Sequence, residues 1–336
     1  MAPRDVFIVE NESKKQPRQD RFDRISFLLK PVRPFRLDFT VWALRRRPNN
    51  IVDRWDGSTY SRVVVLESEP AEIEIIQLGT CDHPILRVTV TCAVWKPNAK
   101  PTIKALVERV LGLRTDMTEF YNLLRGNRKL GLLAQQFRGV KPTRFPSVFE
   151  SLVNGIACQQ LSLAVGITLL NRLAKDCGYP FQDKKEISYS FPVPERLAAL
   201  DLDALRSLGF SRQKGEYLLE LSRLVAQQKI DLDRLEILDN DEVLNRLCEF
   251  RGIGRWTAEY VALRGLGRLS VFPGDDVGAR NGLQRLLNIR KPLDFSGVRR
   301  MLKRWEPFAG LIYFHLLLNS LASEGYLSVK AQVADR

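Results

Sequence analysis

A Gly-Ile-Gly break at residues 252–254 constrains this chain more than any other feature of its sequence. Before the break, Asp239 and Glu242 have the spacing of a capping box, which starts a helix. After it, a second helical pattern begins near Arg255. Two short helices joined this tightly expose the free N–H groups at the start of the second helix, and these suit a phosphate oxygen. We therefore predict a helical hairpin over residues 241–266, with Gly252, Gly254 and Arg255 facing a phosphate backbone.

The residues that follow the hairpin add chemistry to it. Trp256 and Tyr260 are four residues apart and share one helix face. A Pro-Gly loop then brings Asp275 and Asp276. A base everted from nucleic acid needs aromatic rings to stack on, and cleavage of its bond to the sugar needs a negative charge nearby. The segment thus predicts a pocket for a flipped base.

Each of these features has a simpler structural explanation. The Gly-Ile-Gly break could be an ordinary turn between packed helices, and Trp256 and Tyr260 could be core residues. Asp276 could serve only as the N-cap of a helix beginning near Val277, although capping is compatible with catalysis. From these residues alone, both the structural and the functional explanations remain open.

The N-terminal part has another architecture. Residues 1–30 have little to bury and predict a flexible basic arm. Alternating polar and apolar residues then predict the strands of an antiparallel sheet, followed by a helix with Pro101 near its first turn. The predicted strands lie at residues 37–41, 60–66, 72–75 and 86–94. We therefore expect an α+β fold, with a small sheet domain over 31–113 and an all-helical domain over 114–325.

Composition narrows the class of partner. The 336 residues carry a net charge of +13, which favours polyanionic partners. No run of about 18 apolar residues predicts a membrane span, and the N-terminus lacks the apolar stretch of a secretory signal. We therefore expect a cytoplasmic or nuclear protein. The five cysteines include no CxxC pair, so neither a zinc ribbon nor a clustered iron–sulfur motif is expected.

The segment around the hairpin resembles the helix-hairpin-helix DNA glycosylase superfamily. The run GIGRWTAEYVALRG and the step from Trp256 to Asp276 are similar to the DNA-3-methyladenine glycosylase II (AlkA-like) branch. The segments FPSVFESLVNGIACQQLSLAVG and WEPFAGLIYFHLL also resemble this family. The resemblance covers residues 114–322, and it implies that the sheet domain is similar to the TATA-binding-protein fold.

The resemblance implies a function and a set of site residues. It implies base excision repair by a monofunctional enzyme that acts as a monomer on damaged double-stranded DNA, excises alkylated bases such as 3-methyladenine and leaves an abasic site. Asp276 would stabilise the cationic sugar, with Trp256 and Tyr260 in the base pocket and Gln160 inserted into the duplex gap. No cofactor is expected. Side chains provide no metal site, but the carbonyls of Phe250 and Ile253 could hold a monovalent cation, as in relatives.

One difference from the bifunctional members and two departures from the family pattern bear on the alternatives. Trp256 occupies the place of the lysine of bifunctional members, which argues against lyase activity on oxidised guanine. Leu316 and Leu317 follow His315 where an aromatic is common, and Ala309 replaces a frequent arginine. The lesion range is therefore open, with oxidised or deaminated bases as further candidates. The remaining alternative is a DNA-binding protein without catalytic activity.

Overall fold

The computed structural model describes residues 22–183 and 186–328. Residues 1–21 of the predicted basic arm lie outside the described residues, but the last part of that arm was predicted wrongly. Residues Asp23–Leu29 form an edge strand, because apolar Phe27 and Leu29 are buried against the sheet. The strands are β1 (Asp23–Leu29), β2 (Arg54–Trp55), β3 (Thr59–Leu66), β4 (Glu69–Gln77), β5 (Leu86–Cys92), β6 (Pro180–Phe181) and β7 (Ser188–Tyr189).

Five strands form one antiparallel sheet in the order β1-β5-β4-β3-β2. Val88 of β5 lies opposite Phe27 on one side and Ile75 on the other, and all three are buried on the same face. The strands predicted at 60–66, 72–75 and 86–94 are confirmed as β3, β4 and β5. Alternation of buried and exposed residues therefore identified the centre of the sheet correctly.

The strand predicted at residues 37–41 is wrong, because this segment is a helix. Its polar residues mimic strand alternation, but Asp38 pairs with Arg36, and the Thr40 hydroxyl donates to the carbonyl oxygen of Arg36. The helix is buried on several sides, so it lacks the single apolar stripe that marks a surface helix. Leu37 packs in the core under the sheet, whereas Phe39 packs among the C-terminal helices.

Helices build the rest of the chain. Two-residue strands β6 and β7 pair with each other within the segment predicted to be all-helical, which is a small correction to that prediction. The helices are α1 (Leu37–Arg45), α2 (Ala99–Val110), α3 (Thr118–Leu124), α4 (Arg128–Gln136), α5 (Val148–Cys158), α6 (Leu163–Cys177), α7 (Pro194–Ala198), α8 (Leu202–Ser207), α9 (Arg212–Ala226), α10 (Asn240–Cys248), α11 (Arg255–Arg264), α12 (Val277–Leu287), α13 (Phe295–Leu302) and α14 (Ala309–Ser323).

A buried ion cluster joins the sheet to the helices. Arg62 of β3 donates to Asp53 at 2.7 Å and to both carboxylate oxygens of Glu150 on α5 at 2.6 and 2.7 Å. Tyr60 also donates to Asp53. Removal of one partner from a buried cluster of this kind leaves an uncompensated charge. The cluster therefore fixes the position of α5 relative to the sheet.

None of the helices within residues 22–183 and 186–328 combines the length and the apolar character that a membrane span requires.

Candidate active site

The predicted helical hairpin is formed by α10 and α11. Its start is confirmed, because Asp239 accepts a hydrogen bond from the Glu242 N–H at 2.8 Å and the Glu242 carboxylate accepts one from the Asp239 N–H at 3.0 Å. This reciprocal pair is a capping box. It satisfies two backbone donors that the first turn would otherwise leave free, and it sets the point where α10 begins.

The two glycines of the hairpin differ in backbone conformation and in the space around them. Gly252 has a φ of +85°, and a Cβ there would lie 2.1 Å from the Tyr217 ring, so the fold itself requires glycine. Gly254 has a φ of −94°, and a Cβ built on it would meet no atom within 4 Å. This residue is exposed at the N-cap of α11. Glycine is a favoured N-cap residue, and a contact of Gly254 with a phosphate stays a prediction.

The two aromatic residues of α11 lie on the same face, as predicted. The rings of Trp256 and Tyr260 stack with centroids 5.6 Å apart and an interplanar angle of 23°. Trp256 is half-buried, but Tyr260 is only 4% exposed and lies behind it. The Tyr260 hydroxyl accepts a hydrogen bond from Arg46 at 2.8 Å. Trp256 therefore presents the accessible ring, and Tyr260 supports it.

Asp276 is both a helix cap and a carboxylate in a cavity. Its Oδ1 accepts from the Ala279 N–H at 2.8 Å and caps α12. Its Oδ2 accepts from the Trp256 indole at 3.4 Å and from the Tyr313 hydroxyl at 3.1 Å. Burial, together with the nearby Asp276, holds the pKa of Tyr313 well above its ordinary value, so this phenol remains a donor.

Glu259 holds the loop that carries Asp276. Its Oε2 accepts from the Gly274 N–H at 3.0 Å, and the side chain is buried beneath the Pro-Gly turn. Burial raises the pKa of Glu259, the hydrogen bond from Gly274 opposes this rise, and the nearby Asp275 adds to it, so that the pKa lies at about 7. The loop is thus anchored to α11, the same helix that carries Trp256.

Trp256, Tyr260 and Asp276 line one cavity of about 1280 Å³. The cavity extends from the hairpin turn to the C-terminal half of α14, and its volume exceeds the usual range for a small-molecule pocket. Leu316 and Leu317 contribute an aliphatic wall, as predicted from the departure noted in the sequence. The predicted site residues that line the cavity are Gln160, Phe250, Gly252, Ile253, Gly254, Trp256, Tyr260 and Asp276.

Two successive glutamines follow α5, and the first of them contacts the hairpin. The Gln159 amide donates to the Gly252 carbonyl at 2.8 Å and to the Thr257 hydroxyl at 2.9 Å, so it fixes the hairpin turn. Gln160 is exposed and has a φ of +54°, a conformation that few non-glycine residues adopt. Gln160 lines the cavity, and its insertion into DNA stays a prediction.

Two predicted features lie at the edge of the site. Arg255 is exposed at the start of α11, with its guanidinium 4.4 Å from the centre of the Phe295 ring. The carbonyl of Phe250 accepts from the Ile253 N–H at 3.0 Å within the turn. A monovalent cation on the carbonyls of Phe250 and Ile253 stays a prediction. Within residues 22–183 and 186–328, no group of three or more His, Cys, Asp and Glu side chains could hold a metal ion.

Besides Glu259, sequence reasoning missed three residues that line the cavity. Arg46 reaches the cavity from the end of α1, Tyr313 from α14 and Gln159 from α5. Arg46 and Tyr313 lie far from the hairpin in the sequence, so no local spacing marks them. Gln159 belongs to the Gln-Gln-x-Ser segment, where the polar pair directly after an apolar helix was the available signal.

Comparisons with known proteins agree with this architecture. Residues 153–307 match the family model of the HhH-GPD superfamily of base excision DNA repair proteins. A putative DNA-3-methyladenine glycosylase of Bacillus subtilis is 32% identical over 51% of this chain, and the match spans 58% of that protein. DNA-3-methyladenine glycosylase 1 of Schizosaccharomyces pombe is 30% identical over 49% of this chain and is covered over 68% of its length.

A solved structure extends the likeness to the sheet. The 3-methyladenine DNA glycosylase from Archaeoglobus fulgidus superposes with a TM-score of 0.77 at 25% identity, covering 88% of this chain and 98% of that one. The chain therefore belongs to the helix-hairpin-helix superfamily of base excision DNA repair proteins. Within that superfamily, its relatives place it in the DNA-3-methyladenine glycosylase (AlkA-like) branch.

Proposed function

We propose that this protein is a monofunctional DNA glycosylase that everts a damaged base, hydrolyses its bond to deoxyribose and leaves an abasic site. The observation that carries the proposal is the position of the Asp276 carboxylate, whose Oδ2 lies on the wall of the cavity beside Trp256. Relatives named DNA-3-methyladenine glycosylases support alkylated purines as substrates.

The chemistry follows from the charge that develops during bond cleavage. The departing base leaves a deoxyribose with oxocarbenium character, and a fixed carboxylate stabilises that charge without reorganisation. Three donors hold Asp276 in place, namely Ala279 N–H, Trp256 Nε1 and Tyr313 Oη. The same carboxylate is positioned to orient the attacking water.

Hydrolysis rather than lyase chemistry is supported by the groups on the cavity wall. Trp256 has no amine with which to form a Schiff base. A lysine does line the cavity, but the Lys214 ammonium donates to the carbonyls of Ala157 at 3.1 Å and Gln159 at 2.6 Å, where it caps α5. Burial lowers the pKa of Lys214. Lys214 is therefore the residue to examine if strand cleavage is ever observed.

The DNA backbone would bind at the hairpin. The N–H groups at the start of α11 lie behind exposed Gly254, where a phosphate can approach closely and benefit from the helix dipole. Arg255 lies beside them, and the net charge of +13 favours encounter with DNA. Contacts of this kind are independent of sequence. We expect a monomer to bind damaged duplex DNA in this way.

The direct test is base release from a defined duplex. We expect the purified protein to liberate methylated purines from alkylated duplex DNA and to leave strands that break only after alkali treatment. If bases are released and the strands are nicked equally before and after alkali, the protein has lyase activity. Lys214→Ala would then show whether Lys214 is responsible. DNA binding without release of any base would establish the non-catalytic alternative.

A further inference from the structure

The stretch that begins directly after Asp276 carries a high concentration of positive charge. Residues 277–306 contain eight lysines and arginines but only two acids, so they account for +6 of the net charge of +13. Seven of the eight cations are exposed, and Arg280 is partly buried. We call this group the α12–α13 basic face, and its members are Arg280, Arg285, Arg290, Lys291, Arg299, Arg300, Lys303 and Arg304.

The charges of the basic face are not neutralised within the described part of the protein. Among the described residues, no member of the face forms an ion pair within 4.0 Å. Of the two acids, Asp294 serves as the N-cap of α13, where its Oδ1 accepts from the Gly297 N–H at 2.6 Å. Exposed arginines elsewhere do have partners, as Arg138 has Asp82. Clustered charge of one sign attracts a polyanion.

Packing directs these cations outward. Leu283 of α12 and both Val298 and Leu302 of α13 are buried in the core of the C-terminal helices. The Leu293 N–H donates to Oε1 of Gln284 at 3.3 Å, which joins the start of α13 to α12. A helix that buries one side presents its charged residues to solvent on the other. The cations of both helices therefore lie on the outer surface of one packed unit.

The basic face begins beside the hairpin. The Phe295 ring at the start of α13 lies against the Pro-Gly loop, because a Cβ built on Gly274 would be 2.8 Å from it. The guanidiniums of Arg255 and Arg299 lie 4.4 and 5.9 Å from the centre of this same ring. Arg255 belongs to the first turn of α11, where a phosphate is proposed to bind. The basic face therefore continues from that proposed contact through Arg299.

We propose that the α12–α13 basic face binds the phosphate backbone of double-stranded DNA on one side of the lesion, as a continuation of the contact at the hairpin. The inference rests on the DNA binding of the proposed function and adds a second surface to it. Continuity with the hairpin favours DNA over an acidic protein. The eight residues of α13 span about 12 Å, which matches about three or four phosphates of one strand. Such contacts are independent of base sequence, so the face binds undamaged DNA as well.

The salt dependence of DNA binding tests the proposal. Each phosphate that a lysine or arginine neutralises steepens the fall of log K with log salt concentration by about 0.9. The variant Arg299→Gln/Arg300→Gln/Lys303→Gln removes three cations, none of which lines the cavity. We expect it to bind an undamaged duplex about tenfold more weakly than wild type, with a slope shallower by about 1 or more. An unchanged slope would overturn the proposal and leave the face to an acidic protein or to solvent.

A matched variant separates position from net charge. Lys30→Gln/Arg87→Gln/Lys100→Gln removes three exposed cations from the sheet domain, and none of these lines the cavity or has an ion pair among the described residues. Lys100 lies 5.4 Å from the centre of a phenylalanine ring, as Arg299 lies 5.9 Å from one. We expect this control to retain most of the affinity and slope of wild type. An equal loss in both variants would reduce the effect to net charge and overturn the proposal.

Shortened duplexes locate the contact. Removal of the outer base pairs from one flank of the lesion should weaken wild-type binding more than the same removal from the other flank. On the duplex without the sensitive flank, the basic-face variant and wild type should bind with affinities equal within about twofold, because the contact is then absent for both. Losses from trimming and substitution that add independently on either flank would overturn the placement of the face on one side of the lesion.

Base release separates this inference from the function on which it rests. With the protein in saturating excess, the basic-face variant should release methylated purines at the wild-type single-turnover rate, because it retains Asp276 and the residues that line the cavity. If wild type releases no base, the proposed glycosylase function fails. The salt dependence on undamaged DNA still decides in that case whether the basic face binds DNA.

Discussion

The indole nitrogen of Trp256 lies 3.4 Å from Oδ2 of Asp276, although 20 residues separate the two in the sequence. This contact joins the first turn of α11, which presents the hairpin amides, to the N-cap of α12, which presents the carboxylate. The proposed strand contact and the proposed position of the reacting sugar therefore depend on neighbouring elements. The Pro-Gly loop between them is also tied to α11 through Glu259.

We expect Asp276→Asn to reduce the single-turnover rate of base release by about 10²–10³-fold, because the fixed negative charge beside the sugar is lost. Asparagine can still accept from the Ala279 N–H, so the cap of α12 and the stability of the fold should be retained. Asp275→Asn is the control and should retain most of the activity. DNA affinity, measured with an abasic-site duplex, should be similar in all three proteins. Full activity of Asp276→Asn would rule out Asp276 as the catalytic carboxylate.

We expect Tyr313→Phe to lower the rate of the chemical step by about tenfold while leaving KM nearly unchanged. The hydroxyl donates to Oδ2 of Asp276 at 3.1 Å, and a hydrogen bond to a carboxylate contributes about 1.5–3 kcal/mol. The ring itself remains in place, so packing is preserved. Single-turnover kinetics should separate this loss from binding. An unchanged rate would mean that the other two donors suffice to position Asp276.

Alanine at the two hairpin glycines should affect different properties: stability at Gly252 and DNA binding at Gly254. Gly252→Ala should lower the free energy of unfolding by about 1–2 kcal/mol or more, because φ is +85° and the Tyr217 ring lies 2.1 Å from the new Cβ. Gly254→Ala should change stability by less than about 1 kcal/mol but weaken DNA binding by about tenfold. Urea unfolding and fluorescence anisotropy measure the two effects. Equal DNA affinity of Gly254→Ala and wild type would place the phosphate elsewhere.

Glu259 should make stability depend on pH. Its folded-state pKa of about 7 lies above the ordinary value of 4.5, so folding favours its protonated form. Its contribution to the free energy of unfolding is therefore fully present below about pH 4.5 and is lost as the pH rises through about 7. Glu259→Gln keeps an acceptor for the Gly274 N–H and removes the titration. Between about pH 5 and about pH 8, the free energy of unfolding measured with urea should decrease less for this variant than for wild type.

Local spacing brought together the residues of the proposed catalytic end of the site because its elements are consecutive. The capping box at Asp239, the hairpin glycines, Trp256 and Asp276 all lie within one stretch of helix, turn and loop, so short-range rules suffice. Glu259 lies within the same stretch, but its role depends on the fold of the following loop. No spacing rule indicates that this carboxylate turns back to accept from Gly274.

The deep end of the site escaped prediction because long-range packing creates it. α1 contributes to both the core under the sheet and the core of the C-terminal helices, so its apolar residues surround the helix and simulate a strand. Arg46 follows this misassigned element, and its partners Asn154 and Tyr260 come from α5 and α11. Tyr313 likewise reaches Asp276 from α14. Only the assembled fold brings these groups together.

Arg46 ties the N-terminal part of the chain to the proposed active site. It directly follows α1, and it donates to Tyr260 on α11 and to Asn154 on α5. The ring that supports Trp256 is thus held from behind by a residue of the N-terminal part. A fragment that begins after α1 would lack this donor, so rates of base release are best measured on the full chain.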